Sequence, residues 1–259
     1  QISHRFRKGI DMYGSLLLAD PGGVLIWAGL TAFVAGLMRG FAGFGSAILM
    51  APVFAVLLGP VHMVPMVAAI ELPMSVMLFL GCRRDVEWRF VAPLSAIAII
   101  AMPLGIWFLV NLDSGVITKV VSIIVLLFVA VLITGWRYKG PRPLPLTLGI
   151  GGVSGAMMAT TSVGGPPVLL YMLAAEMPAA TVRANIVAYY LFTGFVLVAM
   201  VISASPTGTA AVIDAGVVLP VILLSSWLGS RLAGKAAEST YRGIAYLFLS
   251  IAGLFGLFG

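Results

Sequence analysis

Residues 36–52 read GLMRGFAGFGSAILMAP, and residues 160–173 read TTSVGGPPVLLYML. In each, a long apolar run is cut by a cluster of glycines and resumes as a short apolar segment. A helix in hydrocarbon must satisfy its own backbone polar groups, so such breaks survive only where protein or a cavity surrounds them. Two breaks of this kind in one chain point to a membrane transporter's ligand site when they fall at corresponding places in two halves. The rest of the sequence decides whether they do.

Composition supplies the bilayer. Of 259 residues, 61% are hydrophobic and 9% are charged, against roughly 25% charged in a soluble domain. Too few charges remain to cover a water-facing surface, which excludes a soluble enzyme, a disordered chain and a nucleic-acid binder. The net charge of +6 is then a matter of topology rather than of nucleic-acid partners. A single cysteine and two histidines leave no cysteine-rich metal site, and neither metal nor cofactor is expected. Barrel strands of about 10 alternating residues are absent, so the class is all-α and polytopic.

Ten apolar segments follow one another: A 22–38, B 46–58, C 61–81, D 90–110 and E 117–135, then A′ 146–160, B′ 165–176, C′ 179–202, D′ 211–233 and E′ 241–258. The polar, proline-rich stretch 136–145 divides them. The two sets share landmarks: Pro60 and Pro178 open C and C′, and Leu104-Gly105 in D matches Leu228-Gly229 in D′. The expected organisation is an N-terminal segment 1–21, a first membrane repeat 22–135, a cytoplasmic linker 136–145 and a second repeat 146–259. Residues 1–11 are basic and precede Met12, and they are read as an added extension.

Basic residues set the orientation, since they gather on the cytoplasmic side. Arg83, Arg84 and Arg89 follow C, Arg137, Lys139 and Arg142 lie in the linker, and Arg231, Lys235 and Arg242 lie between D′ and E′. The D–E loop, with Asp113 and Lys119, and the C′–D′ loop, with Asp214, are then external. C runs inward and C′ outward, so the halves are inverted. B and B′ measure only about 20 Å at 1.5 Å per residue, short of the roughly 30 Å hydrocarbon core. The expected architecture is therefore two inverted repeats, each a glycine-broken helical hairpin plus three full spans. Eight or ten full spans are the alternatives.

The breaks carry the chemistry. The start of a half-helix exposes N–H groups and a partial positive charge that bind anions. Gly43, Phe44 and Gly45 in the first motif, and Gly164 and Gly165 in the second, would bring backbone close to a ligand, with Ser46, Thr160, Thr161 and Ser162 adding hydroxyls. Gly36 with Gly40, and Gly151 with Gly155, instead have the small-xxx-small spacing of helix packing. Arg39 adjoins the first break. It is a candidate cation for an oxyanion, against the reading that it snorkels to an interface. Glu71, midway along C between Pro65 and Pro73, is a candidate for proton coupling, a partner for Arg39, or a structural carboxyl bonded to a carbonyl that a proline has freed. Arg183 and Asn185 stand near the start of C′, where an interfacial Arg183 outweighs anion capture. Met63, Met66, Met74 and Met77 are read as packing.

The two glycine motifs and the repeat spacing resemble the TauE/SafE family of sulfite and organosulfur-anion exporters over essentially 22–259. The resemblance implies a bacterial inner-membrane protein, with lipid and a small anion as its partners and a homodimer as one open assembly, exporting sulfite or a sulfonate such as sulfoacetate. The first motif reads G-F-G-S where many members have three glycines in a row, which leaves the substrate open to another small anion. The rival from another class is an intramembrane serine hydrolase, with Ser46 or Ser162 as nucleophile and His62 as base.

Overall fold

The structure, a computed structural model, describes residues 21–42, 45–134, 143–173, 177–204, 207–232 and 238–258. Gly43 and Phe44, most of the linker, Lys235 and residues 1–20 lie outside them. The described chain is all helix apart from short joints. We label the helices α1 Pro21–Ala42, α2 Ser46–Leu58, α3 Pro60–Cys82, α4 Trp88–Asn111, α5 Ser114–Thr134, α6 Leu144–Thr161, α7 Gly165–Leu173, α8 Ala179–Ala204, α9 Gly208–Leu232 and α10 Glu238–Phe258. A single 3-10 turn, Arg83–Asp85, follows α3.

The protein is a multi-pass membrane protein, and its surface shows it. Leu25, Ile26, Trp27 and Leu30 on α1, Ile100, Leu104 and Trp107 on α4, and Leu127 on α5 point outward. Large apolar side chains that face out along several helices need lipid, not water, around them. Among the described residues, six helical stretches are long and apolar enough to cross a membrane: Gly23–Phe41, Pro60–Asp85, Trp88–Asn111, Ser114–Thr134, Ala180–Ala204 and Gly208–Arg231. They differ by one from the six expected. α1, expected as a hairpin arm, has 22 residues and reaches about 33 Å, because its apolar run continues past Arg39. In α10 the apolar part among the described residues is Tyr246–Phe258, since that helix opens on Glu238, Ser239, Thr240 and Arg242. Both short arms are real helices, with α2 of 13 residues and α7 of 9 residues. Two loop assignments also change. Asp214 lies within α9 and Lys119 within α5, each inside its apolar segment near the helix start rather than in the loop before it.

The helices pair reciprocally. α1 packs along α9 and α6 along α4, α3 crosses α8 at the centre, and α5 lies against α10. The first two pairings run on small residues. A side chain at Gly36 or Gly40 would strike Ile222, Ser225 or Ser226, and one at Gly229 would strike Leu37. In the mirror pairing, side chains at Gly151 and Gly155 would strike Leu94 and Ala98, and one at Gly105 would strike Ala156. Without a hydrophobic drive between helices in lipid, such backbone contact supplies the van der Waals attraction that joins them. Gly105 and Gly229, matched by sequence landmarks, both lie at such close approaches, as do Gly36 and Gly151, which open the two small-xxx-small patterns.

Candidate functional site

At the first break, α1 ends at Ala42 and α2 starts at Ser46 with Gly45 as its N-cap, at φ 102°. That left-handed backbone is strained for any residue with a Cβ, while the space around Gly45 is open. The requirement for glycine here is conformational. The joint returns the chain beside itself, so that Arg39 near the end of α1 meets Ser46 at the start of α2. Glu71 and Ser75, one turn apart on α3, complete the cluster.

Arg39 is 2% exposed, and it does not snorkel. One of its terminal nitrogens, Nη1, donates to Glu71 Oε2 and, at 3.2 Å, to Ser46 Oγ. The other, Nη2, donates to Ser75 Oγ at 3.0 Å. Ser46 in turn donates to Glu71 Oε1. Both carboxylate oxygens are therefore held by side chains, so Glu71 is Arg39's counter-charge and not a carboxyl parked on a proline-freed carbonyl. Nε of Arg39 is buried with no hydrogen-bond partner. A guanidinium N–H left unmade in a dry core is costly, and Nε is the one nitrogen of Arg39 that the cluster leaves without a partner.

At the second break, Ser162 ends α6 in a left-handed conformation, φ 58°, its N–H closing on Met158 O at 2.9 Å. Its hydroxyl donates to Val64 O of α3 at 3.1 Å, tying the second break to the first half. Ser154 donates to Gly164 O and lies 2.7 Å from the Tyr189 oxygen. With its own proton on Gly164, Ser154 accepts the Tyr189 proton. A side chain at Gly165 would strike the Tyr190 hydroxyl, so glycine there is required by close approach rather than by backbone angle. Thr160 donates to Gly105 O and Ala156 O at 3.0 and 2.9 Å. Thr161 donates to Met157 O and accepts from Val163 N–H, at 2.6 and 3.1 Å. These two hydroxyls hold the end of α6 in shape.

A narrow void lies between the two breaks. Glu71 and Ala47 reach it from the first, Ser162 and Tyr190 from the second. A second narrow void continues on the other side of Tyr190, against Gly165. The halves are alike in position and unlike in charge. Arg39 directly precedes Gly40 as Ser154 directly precedes Gly155, and Glu71 follows Pro60 at the same distance as Tyr189 follows Pro178. Arg39 and Glu71 form an ion pair, whereas Ser154 and Tyr189 form a neutral hydrogen bond.

The remaining candidates are elsewhere. Arg183 is exposed. Asn185 is fully buried, its Oδ1 accepting from Glu87 N–H at 2.8 Å ahead of α4. His62 Nε2 lies 2.9 Å from Asp214 Oδ2, while Ser46 and Ser162 are bonded to other groups, so neither serine has His62 as its base. Met63, Met66 and Met74 are buried in the core, and Met77 is exposed. Sequence reading missed Ser75, Ser154, Tyr189 and Tyr190. Ser75 had a signal, standing one turn after Glu71. The adjacent tyrosines had a weaker one, two phenols in the middle of an apolar span.

A family model described as "Sulfite exporter TauE/SafE" matches residues 28–256. A protein of Cupriavidus necator described as "Probable sulfite/organosulfonate exporter TauE" is 24% identical over 174 residues, which are 64% of this chain and 66% of that protein. The chain thus matches just under two thirds of that relative's length. No solved structure matches.

Proposed function

Because the chain belongs to the TauE/SafE sulfite exporter family, a family of transporters and not of enzymes, we propose that it exports a small sulfur oxyanion, sulfite or a sulfonate such as sulfoacetate. The membrane is the bacterial inner membrane, with the loop after α3 and the stretch 136–145 facing the cytoplasm. The two halves are inverted repeats, a reading that the reciprocal helix pairing supports. The anion binds between the two breaks. Arg39 supplies the charge, Ser46 and Ser162 supply hydroxyls, and the half-helix starts at Gly43-Phe44-Gly45 and Gly164-Gly165 supply backbone N–H groups. Thr160 and Thr161 shape the second break from the end of α6.

One observation carries this reading: a fully buried arginine with an unused N–H, in a cluster that opens through Glu71 on the void shared by both breaks. A purely structural arginine would be expected to use all its donors. The test is flux from proteoliposomes loaded in turn with sulfite, sulfate, thiosulfate, sulfoacetate and taurine, each with the parent protein, Arg39→Lys and Arg39→Ala. The expected result is selective efflux of a sulfur oxyanion that Arg39→Ala abolishes and Arg39→Lys reduces. Undiminished efflux with Arg39→Ala would remove the arginine from the site.

A further inference from the structure

We infer that Glu71 is a built-in counter-anion, and that the protein therefore moves a monovalent anion together with one proton, carrying no net charge. The inference rests on the proposed anion site at Arg39.

The site holds one positive and one negative charge in contact, both buried. Their sum is zero, which is the state in which such a site survives in a low-dielectric core. An anion that reaches the free Nε–H of Arg39 places a second negative charge on the same guanidinium. Among the described residues that face the pair, none brings a further positive charge to balance it. The groups facing Glu71 are Arg39 from α1, the Ser46 hydroxyl from α2, the Ser75 hydroxyl on its own helix, and the Tyr190 phenol from α8. Ser162 lines the same void from the end of α6. The acid brought by α9, Asp214, is bound to His62 toward the start of α3. The equivalent positions in the second half, Ser154 and Tyr189, are neutral. Balance is restored by one proton on Glu71, taken from the side where the anion enters. Arg39, the anion and a neutral Glu71 again sum to zero. When the anion leaves on the far side, Glu71 gives up that proton there and the ion pair re-forms. Loaded and empty sites then cross with the same charge, and neither exposes an unpaired ion to the core.

Removing the carboxylate breaks only half of this cycle. With Glu71→Gln, the loaded site is still neutral, but the empty site holds an unpaired buried cation. Return without cargo becomes the obstacle, and the protein is left as an exchanger of one anion for another.

The experiment uses the full chain in proteoliposomes and sulfite at mildly acid pH, where the monoanion dominates. In the parent protein, net sulfite efflux should carry no charge per sulfur, should be indifferent to an imposed voltage, and should deliver one proton per sulfur. In Glu71→Gln, net efflux should fall by roughly two to four orders of magnitude, the factor that an uncompensated buried charge implies, while sulfite–sulfite exchange persists. Parent efflux that carries one negative charge per sulfur and follows the voltage would overturn the inference and leave the anion-export reading standing. If sulfite does not move, the same counts are made with sulfoacetate, and an absence of flux with every sulfur anion of the screen would overturn that reading, and the inference with it. The charge and proton counts on the parent decide the matter without any variant.

Discussion

The Tyr189 phenol lies 2.7 Å from the Ser154 hydroxyl, and Tyr189 follows Pro178 at the distance at which Glu71 follows Pro60. The Ser154–Tyr189 pair is neutral, whereas Arg39 and Glu71 form a buried ion pair. Replacing a buried ion pair by neutral groups of similar volume is often no loss of stability. The charge of Arg39 and Glu71 is therefore expected to serve function rather than folding. The first of the five predictions below tests that division.

Breaking the Arg39–Glu71 pair should cost more than removing it. Arg39→Gln leaves a buried carboxylate without its cation and should destabilise the protein by about 3–5 kcal/mol. The double variant Arg39→Gln with Glu71→Gln should recover most of that loss, because two neutral amides can bond to each other and to Ser46 and Ser75. Thermal unfolding in detergent reads the difference, and equal losses in the two variants would contradict it.

The two motif glycines should fail for different reasons. Gly45→Ala is strained by φ 102°, at about 1 kcal/mol or more for a non-glycine residue in that region, with no neighbouring change able to relieve it. Gly165→Ala meets the Tyr190 hydroxyl. Combining it with Tyr190→Leu should restore unfolding temperature for Gly165→Ala, whereas Tyr190→Leu should do nothing for Gly45→Ala.

Close packing makes a sharper contrast among glycines of one helix. Gly155→Val would drive a side chain into the Ala98 backbone and should prevent folded protein from accumulating, while Gly149, with open space around it, should accept alanine or valine. Yield and monodispersity on size exclusion compare the three.

His62→Ala should leave anion flux within about twofold of the parent and cost about 0–1 kcal/mol, the usual scale for a partly exposed ion pair. His62 meets Asp214, which is 53% exposed at its side chain, and touches neither break. Lost flux with intact stability would give His62 a part in transport.

Orientation can be read by labelling. Cysteines placed singly at Ser114 and Thr207 in a Cys82→Ser background should react with an impermeant thiol reagent added outside intact cells, and one at Gly140 should not. Cys82 donates to Leu78 O, a bond that serine can also make. The reverse pattern would overturn the inverted arrangement.

Helix count and class were legible along the chain because lipid imposes a length on every apolar run and a side on every basic cluster. The breaks were legible because glycine, serine and proline are rare neighbours in hydrocarbon. The role of Gly36, Gly40, Gly151 and Gly155 could be read from spacing alone, since one face of a helix is fixed by its period. What residue order could not decide was partnership. Arg39 and Glu71 are separated by 32 positions, and each alone fitted several fates, from snorkelling to a proline-freed carbonyl. Only the return of the chain at Gly45 puts the arginine, Ser46 and α3 at one point. Tyr189 and Tyr190 stood out only as two phenols in an apolar span, and their partners were settled by α8 crossing α3 beside the second break. Periodicity is a property of one element, whereas the charge balance of a buried site is summed over several.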